Sequence, residues 1–181
     1  MPKKERCIIL IDGSNFYFKL KDLQLHNLLC FNFSEFAQKL LNSNTFIQGT
    51  YYIGKVRTNG TEKMKKLQSN QQKLFSHLKK QKFHYSLGYL LKSGDRMHEK
   101  GVDVNIAVDI LVATYENQCD KIILVSSDTD LLPAVEKAQE KGKIVEYVGF
   151  SHMPSTAMKN NCSQSTFLKK EDILPFITSS K

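Results

Sequence analysis

Lys121-Ile122-Ile123-Leu124-Val125-Ser126-Ser127-Asp128-Thr129-Asp130-Leu131-Leu132-Pro133 decides the fold. Ile122 to Val125 is an apolar, β-branched run, too short for a free-standing helix and bounded by turn-formers, which predicts a strand buried on both faces. Such strands belong to parallel sheets covered by helices. Ser126 to Asp130 follows at the strand's carboxyl end, where open α/β sheets place their ligands. Two carboxylates one residue apart are unfavourable there unless a cation or a proton offsets them. Asp128 and Asp130 would serve equally well as caps of the following helix, whose N-terminus favours negative charge.

Cys7 to Ile11 is a second continuous apolar run and stops at Asp12-Gly13-Ser14-Asn15, a turn cluster able to cap a short helix through Phe16 to Lys19. Residues 22–32 read as a loop, after which Ser34 is expected to cap a helix over Glu35 to Leu41. Thr50 to Val56 has the aromatic and branched content of a strand. A basic helix is expected from Thr61 or Glu62 to about Lys80, with Met64, Leu67, Leu74, Phe75 and Leu78 packing inward and its lysines in water. Phe83 to Leu91 reads as a strand bulged at Gly88, and Lys92 to Lys100 as a charged loop. Val102 to Tyr115 is a helix in which Asp103 starts the inward stripe of Ile106, Ala107 and Ile110, with Asp109 about 120° round the axis. A helix from Leu131 to Lys141, capped by Gly142, leads to a final core strand over Lys143 to Gly149. Beyond it, Ser155 opens a short helix and Glu171 to Pro175 forms a terminal turn.

Strand–helix alternation of this kind predicts a doubly wound, mostly parallel sheet in a three-layer α/β/α, Rossmann-like fold. The 181 residues suit one domain over 1–181, with a core at about 7–150 and an extension at 151–181. Hydrophobic residues at 41% and charged ones at 24% fit a soluble globular protein. No apolar run approaches a membrane span, and the first six residues lack a signal peptide's apolar core, so a cytoplasmic home without membrane contact is expected. Four cysteines without paired spacing read as free thiols. A net charge of +8 favours polyanionic partners, although it serves plain solubility as well.

A flavodoxin-like or related strand order sets the strand ending at Asp12 beside the one ending at Asp128, about 4.8 Å away. Asp12, Asp128 and Asp130 then converge on the crevice, with Asp103 arriving from a helix start. Carboxylates so crowded are either partly protonated or bound to a hard divalent cation, and oxygen-only ligation suits Mg²⁺ or Mn²⁺. Such an ion supports phosphodiester hydrolysis.

Asp12-Gly13-Ser14-Asn15, Lys100-Gly101-Val102-Asp103 with Asp109 six residues on, and Ser126-Ser127-Asp128-Thr129-Asp130 together resemble the NYN domain family of PIN-like nucleases, from about Cys7 to Gly149. The resemblance implies a PIN-like fold and Mg²⁺- or Mn²⁺-dependent ribonuclease activity, with an endoribonuclease expected. By the same resemblance Asp12, Asp103 and Asp128 are the acidic metal site, Asp130 the second acid of the last motif, Asn15 an orienting residue and Asp109 an additional acid. Two positions depart from the family pattern: Ser127 replaces a usual Gly at a turn with room for positive φ, and Leu131 replaces an aromatic.

Lys55, Arg57, Lys63, Arg96, His98 and Lys100 are the substrate-binding candidates, in loops expected on the carboxyl side of the sheet, where they would meet phosphates. Tyr17, Phe18 and Tyr51 have rings fit to stack on a base, but core packing accounts for each. RNA, single-stranded or structured, is the expected partner, with a homo-oligomer or a protein partner left open. A non-catalytic RNA-binding or protein-interaction module fits the basic charge equally. A phosphoryl-transfer enzyme fits less well, because Asp12 is followed by Gly-Ser-Asn instead of the early Asp-x-Asp such enzymes favour.

Overall fold

The structure is a computed structural model that describes residues 4–57, 60–93 and 96–177, with backbone alone at 91–93 and 96–98. The two apolar runs become the centre of a seven-stranded sheet. β1 (Arg6–Asp12) and β5 (Lys121–Val125) pair in parallel, Cys7 opposite Lys121 and Ile11 opposite Val125. β2 (Thr45–Lys55) and β3 (Phe83–Ser93) extend the sheet on one side, β6 (Ile144–Phe150) and β7 (Gln164–Leu168) on the other. β4 (Arg96–Lys100) is an antiparallel edge, giving the order β4-β3-β2-β1-β5-β6-β7. Apart from that edge, the strands run 3-2-1-5-6-7, the Rossmann-like arrangement, with its switch point between β1 and β5.

Alternate residues of β1 feed opposite faces. Cys7, Ile9 and Ile11 pack with α1 (Gly13–Asp22), α2 (Phe33–Leu41) and α3 (Glu62–Lys80), around an aromatic cluster of Phe16, Phe31, Phe33 and Phe36. Ile8 and Leu10 pack with α4 (Val102–Tyr115), α5 (Leu132–Glu140) and α6 (Thr156–Asn161). Both faces of β5 are buried, as a strand inside three layers requires.

Several expectations need correction. Residues 96–100, read within a charged loop, form the edge strand; an exposed edge tolerates charge, so its sequence lacks a buried strand's signal. β2 begins at Thr45, five residues early, because its exposed start pairs with β1 across an irregularity at Cys7/Ile8. No register shift occurs at Gly88, which pairs regularly with Gly54. Gly88 instead permits close approach: a Cβ there would meet Val102 Cγ2 at 2.6 Å and the Lys100 carbonyl at 2.7 Å. Gly88→Ala is therefore expected to cost about 1–3 kcal/mol through overpacking, read as a lowered thermal midpoint. Asn32, not Ser34, caps α2 by accepting from the Glu35 amide, while the Ser34 hydroxyl donates to the Gln81 carbonyl. The loop expected at 22–32 holds a 3₁₀ turn at Leu28–Cys30.

Beyond residue 150 the chain returns to the sheet. β7 pairs in parallel with β6, and the lysine of the buried Lys121–Glu146 ion pair, which joins β5 to β6 at 2.7 Å, reaches it by donating to Gln164. α7 (Lys170–Ile173) then brings Phe176 against Phe31 and Phe36.

Candidate metal centre

Asp12 ends β1 and stays buried because its carboxylate is used twice. One oxygen accepts from the Asn15 amide at 3.0 Å and caps α1; the other accepts from the Ser126 hydroxyl at 2.9 Å. Ser126, buried at the end of β5, accepts in turn from the Asp128 amide at 3.2 Å. The Asp128 carboxylate accepts from the Asp130 amide at 2.9 Å, capping the 3₁₀ turn Thr129–Leu131. Asn15 closes the link, its side-chain oxygen accepting from the Ser127 amide at 3.3 Å. The two strand ends at the switch point are thus tied together through side chains.

Asp103 lies in the first turn of α4, exposed, while Ile106 and Ile110 of the same helix are buried. Carboxylate oxygens of Asp103, Asp128 and Asp130 all lie within 4.8 Å of one another. Among the described residues none of the three takes part in a salt bridge. Three neighbouring anions with oxygen donors alone match the preference of a hard divalent cation, so the residues fit Mg²⁺ or Mn²⁺. Asp130 stands in this triplet where the sequence reading set Asp12. Asp12 adjoins it through Ser126.

Burial pushes the Asp12 carboxyl up to about 6, and the negative charges of Glu99 and Asp128 push in the same direction. Its hydrogen bonds from Asn15 and Ser126 oppose this without winning. Glu99 escaped the sequence reading. It belongs to edge strand β4, and its carboxylate accepts from the Gly54 amide. Ser126 escaped as well, although a Ser two residues before an Asp at a strand end is an ordinary local acceptor for the Asp amide.

Asp109 is engaged elsewhere: the buried Tyr52 hydroxyl donates to it at 2.6 Å, anchoring α4 to β2. Ser127 is not among the described residues with positive φ, so its Cβ brings no strain, and its hydroxyl bonds to that of Tyr147 at 2.9 Å. Leu131 is core. Lys55, at the end of β2, and Arg57 beyond it are exposed, as are Lys63 at the start of α3 and Lys100 at the end of β4. The backbone of Arg96 and His98 runs in β4, and their side chains lie outside the described residues. Tyr51 is buried, donating to the Gly13 carbonyl at 3.1 Å. Phe18, expected in the core, is 59% exposed.

A model of the NYN domain matches residues 6–169, nearly the whole chain. This chain belongs to the NYN domain family. The family is part of the PIN-like nuclease superfamily. Over 59 residues this NYN domain is 42% identical to an uncharacterized protein of Methanocaldococcus jannaschii, a stretch making up 33% of this chain. The match spans about a quarter of that curated relative's length, 25%. A crystal structure of a protein of unknown function from Vibrio parahaemolyticus shares the fold, with a TM-score of 0.66 at 22% identity over 93% of this chain and 95% of the other. The T5 5′-exonuclease with bound zinc ions is more distant, with a TM-score of 0.43 at 17% identity over 86% and 60% of the two chains. Among the described residues no helix is long and apolar enough to cross a membrane.

Proposed function

We propose that this NYN domain is a metal-dependent ribonuclease that hydrolyses RNA phosphodiester bonds, with Mg²⁺ or Mn²⁺ held by Asp103, Asp128 and Asp130. The observation that carries the reading is the convergence of these three carboxylates at the sheet's carboxyl edge, where among the described residues none of them is in a salt bridge. When bound, the ion supplies positive charge for the phosphate and acidifies a water. Asp12 keeps Asp128 in place through the shared Ser126 hydroxyl, and Asn15 fixes the turn behind both. Lys55, Arg57, Lys63 and Lys100 are suited to phosphate contacts that position the chain without reading its sequence. A cytoplasmic setting, where thiols stay reduced, goes with four cysteines of which none forms a disulfide.

The test is cleavage of a labelled RNA in Mn²⁺, Mg²⁺ or EDTA. Cutting in either metal and none in EDTA is expected, and RNA bound but uncut in every condition would move the protein to a non-catalytic module. In the same assay Ser126→Ala, which removes a partner of Asp12 and of the Asp128 amide, is expected to reduce activity at limiting metal by about 10- to 100-fold. Excess Mn²⁺ should restore part of that loss.

A further inference from the structure

α3 carries Lys66, Lys73 and Lys80 at intervals of seven, so the three exposed lysines share one stripe of about 21 Å on a helix rising 1.5 Å per residue. Glu62, at its start, is the helix's sole acid and is paired with Lys65. On the inward side of the same helix a groove of about 570 Å³ opens between α1, α3 and the end of β2. Its wall is mostly apolar, and three large hydrophobic side chains that line it are exposed: Phe18 at 59%, Leu29 at 38% and Leu67 at 44%. The Phe18 ring meets Tyr17 edge-on at 5.6 Å.

One end of the groove is formed by Gly13, next to Asp12, and by Glu99. The other reaches Leu29, which it shares with a shallow depression lined by Lys73, His77 and Lys80. An apolar trough with an exposed ring therefore runs from beside Asp12 and Glu99 to the depression that Lys73 and Lys80 line. Apolar rings with an anion on every unit are the chemistry of a nucleic-acid strand, and only an unpaired strand offers its base faces to a side chain. A protein segment would leave the lysine row unanswered.

We propose that single-stranded nucleic acid leaves the carboxylates through this groove, with a base stacked on Phe18 and the following phosphates on Lys73 and Lys80. The inference rests on nucleic acid being the substrate.

Binding of a labelled 15-nucleotide oligouridine, and of an RNA duplex of the same length, is measured in EDTA by fluorescence anisotropy. The single strand should bind at least about 10-fold more tightly than the duplex. Phe18→Ala, at an exposed helix position, should weaken single-strand binding by about 5- to 150-fold and duplex binding little. Lys73→Gln with Lys80→Gln should lower the slope of log Kobs against log salt by about 1.4. Equal affinity for strand and duplex, or Phe18→Ala binding the strand as wild type does, overturns the track. So does failure of both nucleic acids to bind, which would leave the groove to a protein. Phe18-dependent binding by a protein that cuts RNA in neither metal upholds the track and counts against the nuclease alone. Metal-dependent cutting with binding indifferent to Phe18 does the reverse.

Discussion

Asp128→Asn is expected to lower metal-dependent RNA cleavage by more than the roughly 10- to 100-fold that loss of an outer partner costs, while leaving the fold intact. The variant separates the two uses of this carboxylate. As a cap, Asp128 accepts from the Asp130 amide, and the amide oxygen of Asn performs that service as well. As a metal ligand it contributes a negative charge beside Asp103 and Asp130, which Asn does not. A cap alone therefore predicts unchanged turnover, and a ligand predicts its loss. Thermal midpoints in EDTA should agree within a degree or two, whereas the midpoint gained on adding Mn²⁺ should shrink in the variant. RNA affinity in EDTA should hold or rise, because one anion facing the phosphates is gone. Wild-type turnover in Asp128→Asn would sink the assignment.

That pair of roles also marks how far the sequence was legible. β1 and β5 stand out because a strand buried on both faces must be continuously apolar, and an acid stands at the end of β1 and three residues past the end of β5. The neighbourhood of Asp12 and Asp128 follows from strand order, since the switch point falls between their strands. The finer grouping depends on where the Asp128–Asp130 turn aims its carboxylates, which strand spacing does not determine. Glu99 was hidden because it arrives on an edge strand whose charges read as loop. Phe18 was within reach. Two residues correspond to about 200° of helix, so with Phe16 and Leu20 in the core Phe18 has to face outward. Helix starts were blurred by adjacent polar residues, as when Asn32 rather than Ser34 took the cap.

Asp12→Asn is expected to make the metal-free protein more stable at pH 8 and to leave it no more stable at pH 4. Folded Asp12 keeps its proton to about pH 6, chiefly because burial disfavours the charge and secondarily because Glu99 and Asp128 repel it. Unfolded, the same carboxyl releases its proton near 3.9. Between those values the native state binds more protons than the unfolded one, so stability falls as pH rises and levels off above about 7. The full cost is about 3 kcal/mol, a ceiling on what the neutral Asn avoids. For a chain of this size that is roughly 6–12 °C in thermal midpoint, measured in EDTA across pH 4 to 8. Asn retains the essential contacts: its oxygen accepts from the Asn15 amide and its amide group reaches the Ser126 hydroxyl. The gap between variant and wild type should open between pH 4 and 7, and parallel midpoints throughout would show that Asp12 titrates normally. Mn²⁺ should close the gap from the wild-type side, since a cation among Asp103, Asp128 and Asp130 favours the charged form of Asp12. Asp12 is thus a charge at the switch point that destabilises the metal-free domain, and the stability lost between about pH 4 and 7 measures how strongly the site is prepared for a cation.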